Sequence, residues 1–220
     1  MPSAVEENYK DEVLSLCDDI IDQPCWEDEI FKVFATCDDQ KMFYAASAAY
    51  RLDINIDNEL LSLIKSDPIK YSSYVQRLFK NPEMVTELIE IYETALPLGA
   101  MSEGMGDYIF SDTYRQEHNC LDFILPELAA YPLQGVSFIK TGLNSRVVRN
   151  RNMACRALAG WSKKLAGKPL DCISSELYTE VKRICEIEIN EETKKTMQKL
   201  LAGDITDIWD KSRIVSTSTV

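Results

Sequence analysis

The sequence predicts an all-α fold, and three observations carry that expectation. Apolar residues recur at helical spacing along most of the chain, runs of alternating β-branched residues are missing, and no Asn-Gly or Asp-Gly pair marks a hairpin. Only eight glycines occur in 220 positions, and the chain reads as nearly all helix.

The elements follow in order. Asp11 to Ile21 sets Val13, Leu14, Leu16, Cys17, Ile20 and Ile21 on one side, and Asp22-Gln23-Pro24 ends that helix. Trp26 to Thr36 presents Trp26, Ile30, Phe31, Val33 and Phe34, and Cys37-Asp38-Asp39 breaks it. Lys41 to Leu52 carries Met42, Phe43, Ala45, Ala46, Ala48, Ala49 and Leu52, its alanines small enough for a second helix to approach closely. A short helix from Asn58 to Lys65 closes at Asp67-Pro68. Tyr71 to Phe79 and Pro82 to Leu96 follow, divided by Asn81 as cap and Pro82 in the first helical position.

Pro97 to Asn119 holds three of the eight glycines and no steady period, so it reads as a long irregular insertion containing His118. Insertions of that length within a compact chain are often functional. Helices resume at Cys120 to Tyr131, with Pro126 expected to kink or restart the element, and at Gly135 to Thr141. Ser145 to Lys163 is the clearest helix, closed by Gly167 and Pro169. The last two span Ser174 to Ile187 and Glu191 to Leu201, with Gly203 as the stop; a loosely held tail is expected from about residue 210, with Ile205, Ile208 and Trp209 able to pack as a final cap.

Charge bounds the function classes. Thirty-six acidic against 24 basic side chains give a formal charge of -12, so the average surface repels nucleic acid and anionic lipid and favours a basic protein partner. Most of the acid lies in the N-terminal half. Seven cysteines without a CxxC pair, behind a polar opening MPSAVEENYKDE, lead us to expect reduced thiols in a cytoplasm. No apolar run reaches the roughly 20 residues of a membrane span.

Four stretches share one plan of helix, tight turn and second helix: Trp26 to Leu52, Tyr71 to Leu96, Gly135 to Lys163 and Ser174 to Leu201. Their second helices begin near Met42, Met84, Val147 and Glu191. The first and last spacings fall in the range of about 40 to 47 residues seen in helical-pair repeats. The stretch LNSRVVRNRNMACRALAGW resembles the turn and second helix of a HEAT repeat. Val148-Arg149 match its Val-Arg pair, Ala154, Ala157 and Leu158 its apolar positions, and Asn144 stands where the family usually has Asp. The resemblance implies a right-handed superhelix of about four HEAT-like hairpins forming a single unit over residues 1 to 220. It further implies a concave groove that binds another macromolecule, without catalysis and without a cofactor. Charge complementarity alone suggests the sharper form, an inhibitor or immunity-type role toward a basic partner. The stretch around VRNRNMA also resembles a bacterial group labelled limonene hydroxylase.

Few residues could carry chemistry. His118 is the sole histidine, so two-histidine iron chemistry is impossible within the chain, and Gly99, Gly104 and Gly106 lack the strand-loop-helix frame of a dinucleotide site. His118 with Glu117, Asp112 or Asp107 would make a general base, although a solvated loop histidine is the simpler reading. Arg146, Arg149, Arg151 and Arg156 concentrate basic charge on one helix. Arg149 is expected to serve mainly structure, with Arg146 and Arg156 near its face and Arg151 pointing elsewhere. The alternative function is a small-ligand binder or enzyme, including one similar to HEAT-like DNA glycosylases. It would use residues 97 to 119 as a lid over Asp107, Tyr108, Tyr114, His118 and Trp161. The binding candidates are thus Asp107, Tyr108, Tyr114, His118, Arg146, Arg149, Arg156 and Trp161, with no metal ligand among them.

Overall fold

A computed structural model describes residues 25–36, 38–102, 104–108, 114–206 and 208. The expected helix at Asp11 to Ile21, Asp112, Trp209 and two of the cysteines, Cys17 and Cys37, lie outside the described residues. All regular elements among the described residues are helical, with no β-strand; a single isolated bridge joins Tyr108 to Val147. The chain divides into two compact units, residues 1–60 and 61–220.

In the first unit α1 (Trp26–Thr36) and α2 (Asp39–Arg51) form an antiparallel pair joined by two residues. Asp38 starts α2 by accepting from the Lys41 amide at 3.1 Å. Ile30 and Phe34 meet Met42, Ala45, Ala46 and Ala49 in a closely packed seam, with Ile56 and Leu60 also buried. α3 (Asp57–Ser66) contains the boundary between the units.

The second unit begins with shorter pieces than the sequence suggests. Tyr71 to Phe79 is a 3-10 turn at Ser72–Tyr74 followed by the single-turn α4 (Val75–Leu78). Asn81 caps a 3-10 turn at Pro82–Met84, which leads into α5 (Val85–Ala95). The supposed insertion also holds helix. α6 (Leu98–Met101) is one turn, and α7 (Arg115–Leu128) starts five residues before the expected position and runs through Pro126 to end two residues later.

Two helical pairs complete the unit. α8 (Val136–Leu143) packs on α9 (Val148–Lys164), and after the one-turn α10 (Leu170–Ile173), α11 (Ser175–Ile187) packs on α12 (Glu191–Leu201). Ser174 and Asn190 cap α11 and α12 through their side chains. Gly167, at φ 77°, closes α9 by donating its amide to the Ser162 carbonyl at 2.8 Å.

The pairs stack in parallel. Lys140 reaches Glu176 at 2.5 Å and Asn144 reaches Glu180 at 2.6 Å, so α8 and α11 advance in the same direction. α9 contacts α7 on one side and α12 on the other. Its first turn meets the first two turns of α7, and its last turns meet the end of α7, so these helices also run parallel. At that end Gly160 is indispensable to the packing: a Cβ there would lie 2.5 Å from the Ala129 Cβ and 3.0 Å from its backbone. α9 is consequently the centre of the unit, with ten of its seventeen residues buried.

Candidate functional site

The polar chemistry of the second unit gathers where α9 and α12 begin. Val147 precedes α9 and offers no capping side chain, and the opening amides need other acceptors. The Tyr108 carbonyl accepts from the Val148 amide at 3.1 Å, while the Tyr108 amide donates to the Arg146 carbonyl at 3.4 Å. A segment far upstream thus caps α9. The Tyr108 ring lies 5.1 Å from the Arg146 guanidinium, a cation–π contact, and Gly106 leaves room for it. A Cβ at Gly106 would stand 2.5 Å from the Tyr108 ring.

Behind this edge His118, Ser145 and Asn150 are buried together. Asn150 Nδ2 donates to the His118 carbonyl at 3.1 Å and to Asp122 Oδ1 at 2.8 Å, which turns its Oδ1 toward the imidazole. The His118 Nδ1 to Asn150 Oδ1 distance is 2.8 Å, so Nδ1 carries the proton and donates. Ser145 Oγ donates to the same Asn150 Oδ1 at 3.0 Å and accepts from the Val147 amide at 3.0 Å. Ser145 is 3.3 Å from His118 Nδ1, the protonated nitrogen, so the imidazole is not oriented to deprotonate it there.

Asp122 extends the network to the surface, where Arg149 donates to its Oδ2. Burial raises the Asp122 carboxyl above the ordinary aspartate value, opposed by its bonds to Arg149 and Asn150. On the other side Arg151 and Glu188 form a fully buried two-pronged ion pair at 2.7 and 2.8 Å. Arg151 Nη1 also donates to the Ser145 carbonyl at 2.7 Å, and Glu188 Oε1 accepts from the Asn190 amide at 2.9 Å. Asn190 Nδ2 then reaches Asp107 Oδ1 at 3.1 Å. One chain of contacts therefore links α7, α9, the start of α12 and residues 106–108.

The candidates from the sequence separate into three groups. Asp107, Tyr108 and Arg146 come together at the edge described above, with Asp107 and Tyr108 exposed. His118 is the first correction: it lies in the first turn of α7, 2% exposed, because α7 starts early and turns this side chain toward α9. Trp161 is the second. It is fully buried, with Nε1 donating to the Leu128 carbonyl at 2.7 Å, because α9 packs edge to edge with the end of α7. His118 and Leu128 are ten residues apart on one helix, about 15 Å along its axis. His118 and Trp161 accordingly stand at opposite ends of α7. Tyr114 precedes α7 in the left-handed conformation, Arg149 is exposed beside Asp122, and Arg156 is half-buried on α9. The groove between α8 and α11, lined by Lys140, Ser175, Glu176, Thr179 and Glu180, contains none of the candidates.

Sequence reasoning missed Arg151, Glu188, Ser145 and Asn150. Arg151 stands two positions from Arg149 and shares none of its exposed face, the one signal that it points inward. Among the described residues no group of histidine, cysteine and carboxylate side chains could hold a metal ion, and no helix is long and apolar enough to cross a membrane. Comparison with protein-family models, with curated proteins and with solved structures finds no match to this chain.

Charge is unevenly divided. Residues 1–60 hold fifteen acidic and four basic side chains, whereas residues 61–220 hold 21 and 20. Residues 1–60 thus carry nearly all of the net negative charge of the chain.

Proposed function

We propose that this chain is a non-catalytic, HEAT-like helical module that binds a basic protein partner, in the manner of an inhibitor or immunity-type protein. Support for the repeat comes from the parallel stacking of α8 on α11 and of α9 beside α12, with Val148-Arg149 opening the second helix of a pair. Arg149 reaching a carboxylate of the preceding parallel helix fits the role that the resemblance gives it. The observation that carries the functional reading is where polar groups are used. The interior ones, His118, Ser145, Asn150, Arg151 and Glu188, hold helices together, while the sequence of the first sixty residues carries fifteen acidic against four basic side chains.

The test is capture of partners from the native host at about 0.15 M salt and again at about 1 M, where the Debye length falls from about 8 to about 3 Å. The expected result is one basic protein retained at the lower salt, which then forms a stoichiometric complex with the purified chain by titration calorimetry. Failure of every captured protein to bind when purified refutes the reading.

A further inference from the structure

α2 turns one face inward and leaves the other covered with aromatic rings. Met42, Ala45, Ala46 and Ala49 are buried, and on the opposite side Phe43, Tyr44 and Tyr50 are 59%, 62% and 64% exposed. Phe43 and Tyr50 are seven residues apart, two turns along one line of the helix, with Ser47 between them. Tyr44 flanks Phe43, the rings meeting edge to face at 5.7 Å. Three large rings in the open on a helix of thirteen residues are more than scattered surface apolar residues, and contiguous patches of this kind mark interaction sites.

The surrounding charge specifies what would cover them. Asp38 and Asp39 stand at the start of α2. α1 runs antiparallel to α2, so Glu27, Asp28 and Glu29 in its first turn lie toward the Tyr50 end. Lys32 pairs with Glu29 and Lys41 with Asp38, which leaves the hairpin with a net negative charge. A nucleic acid is repelled by such a surface. A second copy would bring another acidic first unit against this one. Residues 1–24 contain seven carboxylates and one lysine, so that segment too would set like charge against like.

Building on the basic-partner reading, we propose that the Phe43, Tyr44 and Tyr50 face of α2 is the docking surface for a basic amphipathic segment of a partner protein. Its arginine and lysine side chains would lie over the rings and pair with the flanking carboxylates, and its apolar side chains would cover the ring edges. Aromatic anchors within a charged rim are the arrangement in which a few residues carry most of the binding.

The test uses the full chain and three labelled helical peptides: one with arginine and leucine on a single face, one with glutamate replacing arginine, and one with arginine but no leucine. Fluorescence anisotropy gives affinity, and hydroxyl-radical footprinting gives the exposure of Phe43, Tyr44 and Tyr50 residue by residue. The arginine-leucine peptide is expected to bind best and to protect all three rings, and the triple variant F43S/Y44S/Y50S to bind about ten-fold or more weakly with unchanged circular dichroism. K163E, at an exposed position in the second unit, is expected to bind like the parent. Equal binding by the triple variant overturns the assignment to α2 while leaving the basic-partner reading intact, and absence of binding to either arginine peptide overturns both. Rings already protected in the free chain at low concentration would show that residues 1–24 cover the face. Protection that grows with chain concentration would show a second copy there. Either outcome overturns the proposal.

Discussion

Replacing Glu188 by Gln tests whether the buried ion pair holds the second unit together. Arg151 and Glu188 are both 0% exposed, and the guanidinium spends Nε and Nη2 on this carboxylate and Nη1 on the Ser145 carbonyl. The amide keeps the shape of the carboxylate but removes its charge and turns a donor toward the guanidinium. An uncompensated cation then remains out of water, a loss of about 3–5 kcal/mol. For a unit of this size each kcal/mol moves the melting temperature by about 2–4 °C, so a fall of roughly 6–20 °C is expected. Glu188 Oε1 also accepts from the Asn190 amide beside the cap of α12, which places the damage at the junction of α9 with α12. The assay is urea unfolding by circular dichroism on the parent, E188Q, E188M, R151M and R151M/E188M, with calorimetry for the melting temperature. The double replacement removes both charges and is expected to cost less than either single one. The reasoning is refuted if E188Q costs under about 1 kcal/mol at unchanged denaturant slope, or if R151M/E188M costs the sum of the single replacements.

Three further outcomes follow from the packing and the titrating groups. Gly160→Ala should lose about 1–3 kcal/mol in urea unfolding because its new Cβ meets the backbone of Ala129, whereas Gly99→Ala, with nothing within 4 Å, should be near neutral. Burial pushes the Cys120 and Cys155 thiols up to about 11 and about 12, and alkylation at pH 8 followed by mass spectrometry should label exposed Cys25 and Cys172 well before either; equal rates would contradict the burial. Glu180 is held below the ordinary glutamate value, chiefly by its hydrogen bond from Arg183. Its folded value is depressed, so its contribution is present above the unfolded glutamate value and disappears as pH falls through the folded one. The E180Q chain should lose less stability than the parent between about pH 5 and pH 3, and parallel curves would contradict this.

Helix periodicity was the part of the fold written most plainly in the chain. α1 has the expected limits, and Asn81, Ser174 and Asn190 announce helix starts with side chains that accept from backbone amides. The expectation failed where polar residues face inward. Arg115 to Asn119 looks irregular because His118 is counted as polar, yet it occupies the buried side of α7 four residues before Asp122. Arg151 shares that problem: charge suggests solvent, and its partner Glu188 lies 37 positions away, beyond any local pattern. The Tyr108 contact with Val148 is a backbone bond and leaves no mark in side-chain type. What could have been noticed is a vacancy, since Val147 is a poor N-cap and some other acceptor had to be supplied.

That borrowed cap has a consequence for how the chain can be cut. A fragment from Val136 to Leu201 would contain both stacked pairs, each with its own turn, and would resemble a portable building block. It would nevertheless leave the Val148 amide without the Tyr108 carbonyl and the Asn190 side-chain amide without Asp107, uncapping the start of α9 and loosening the residue that caps α12. The two helical pairs are therefore modular in outline and interdependent at their edge, and residues 106–108 act as a clasp across them.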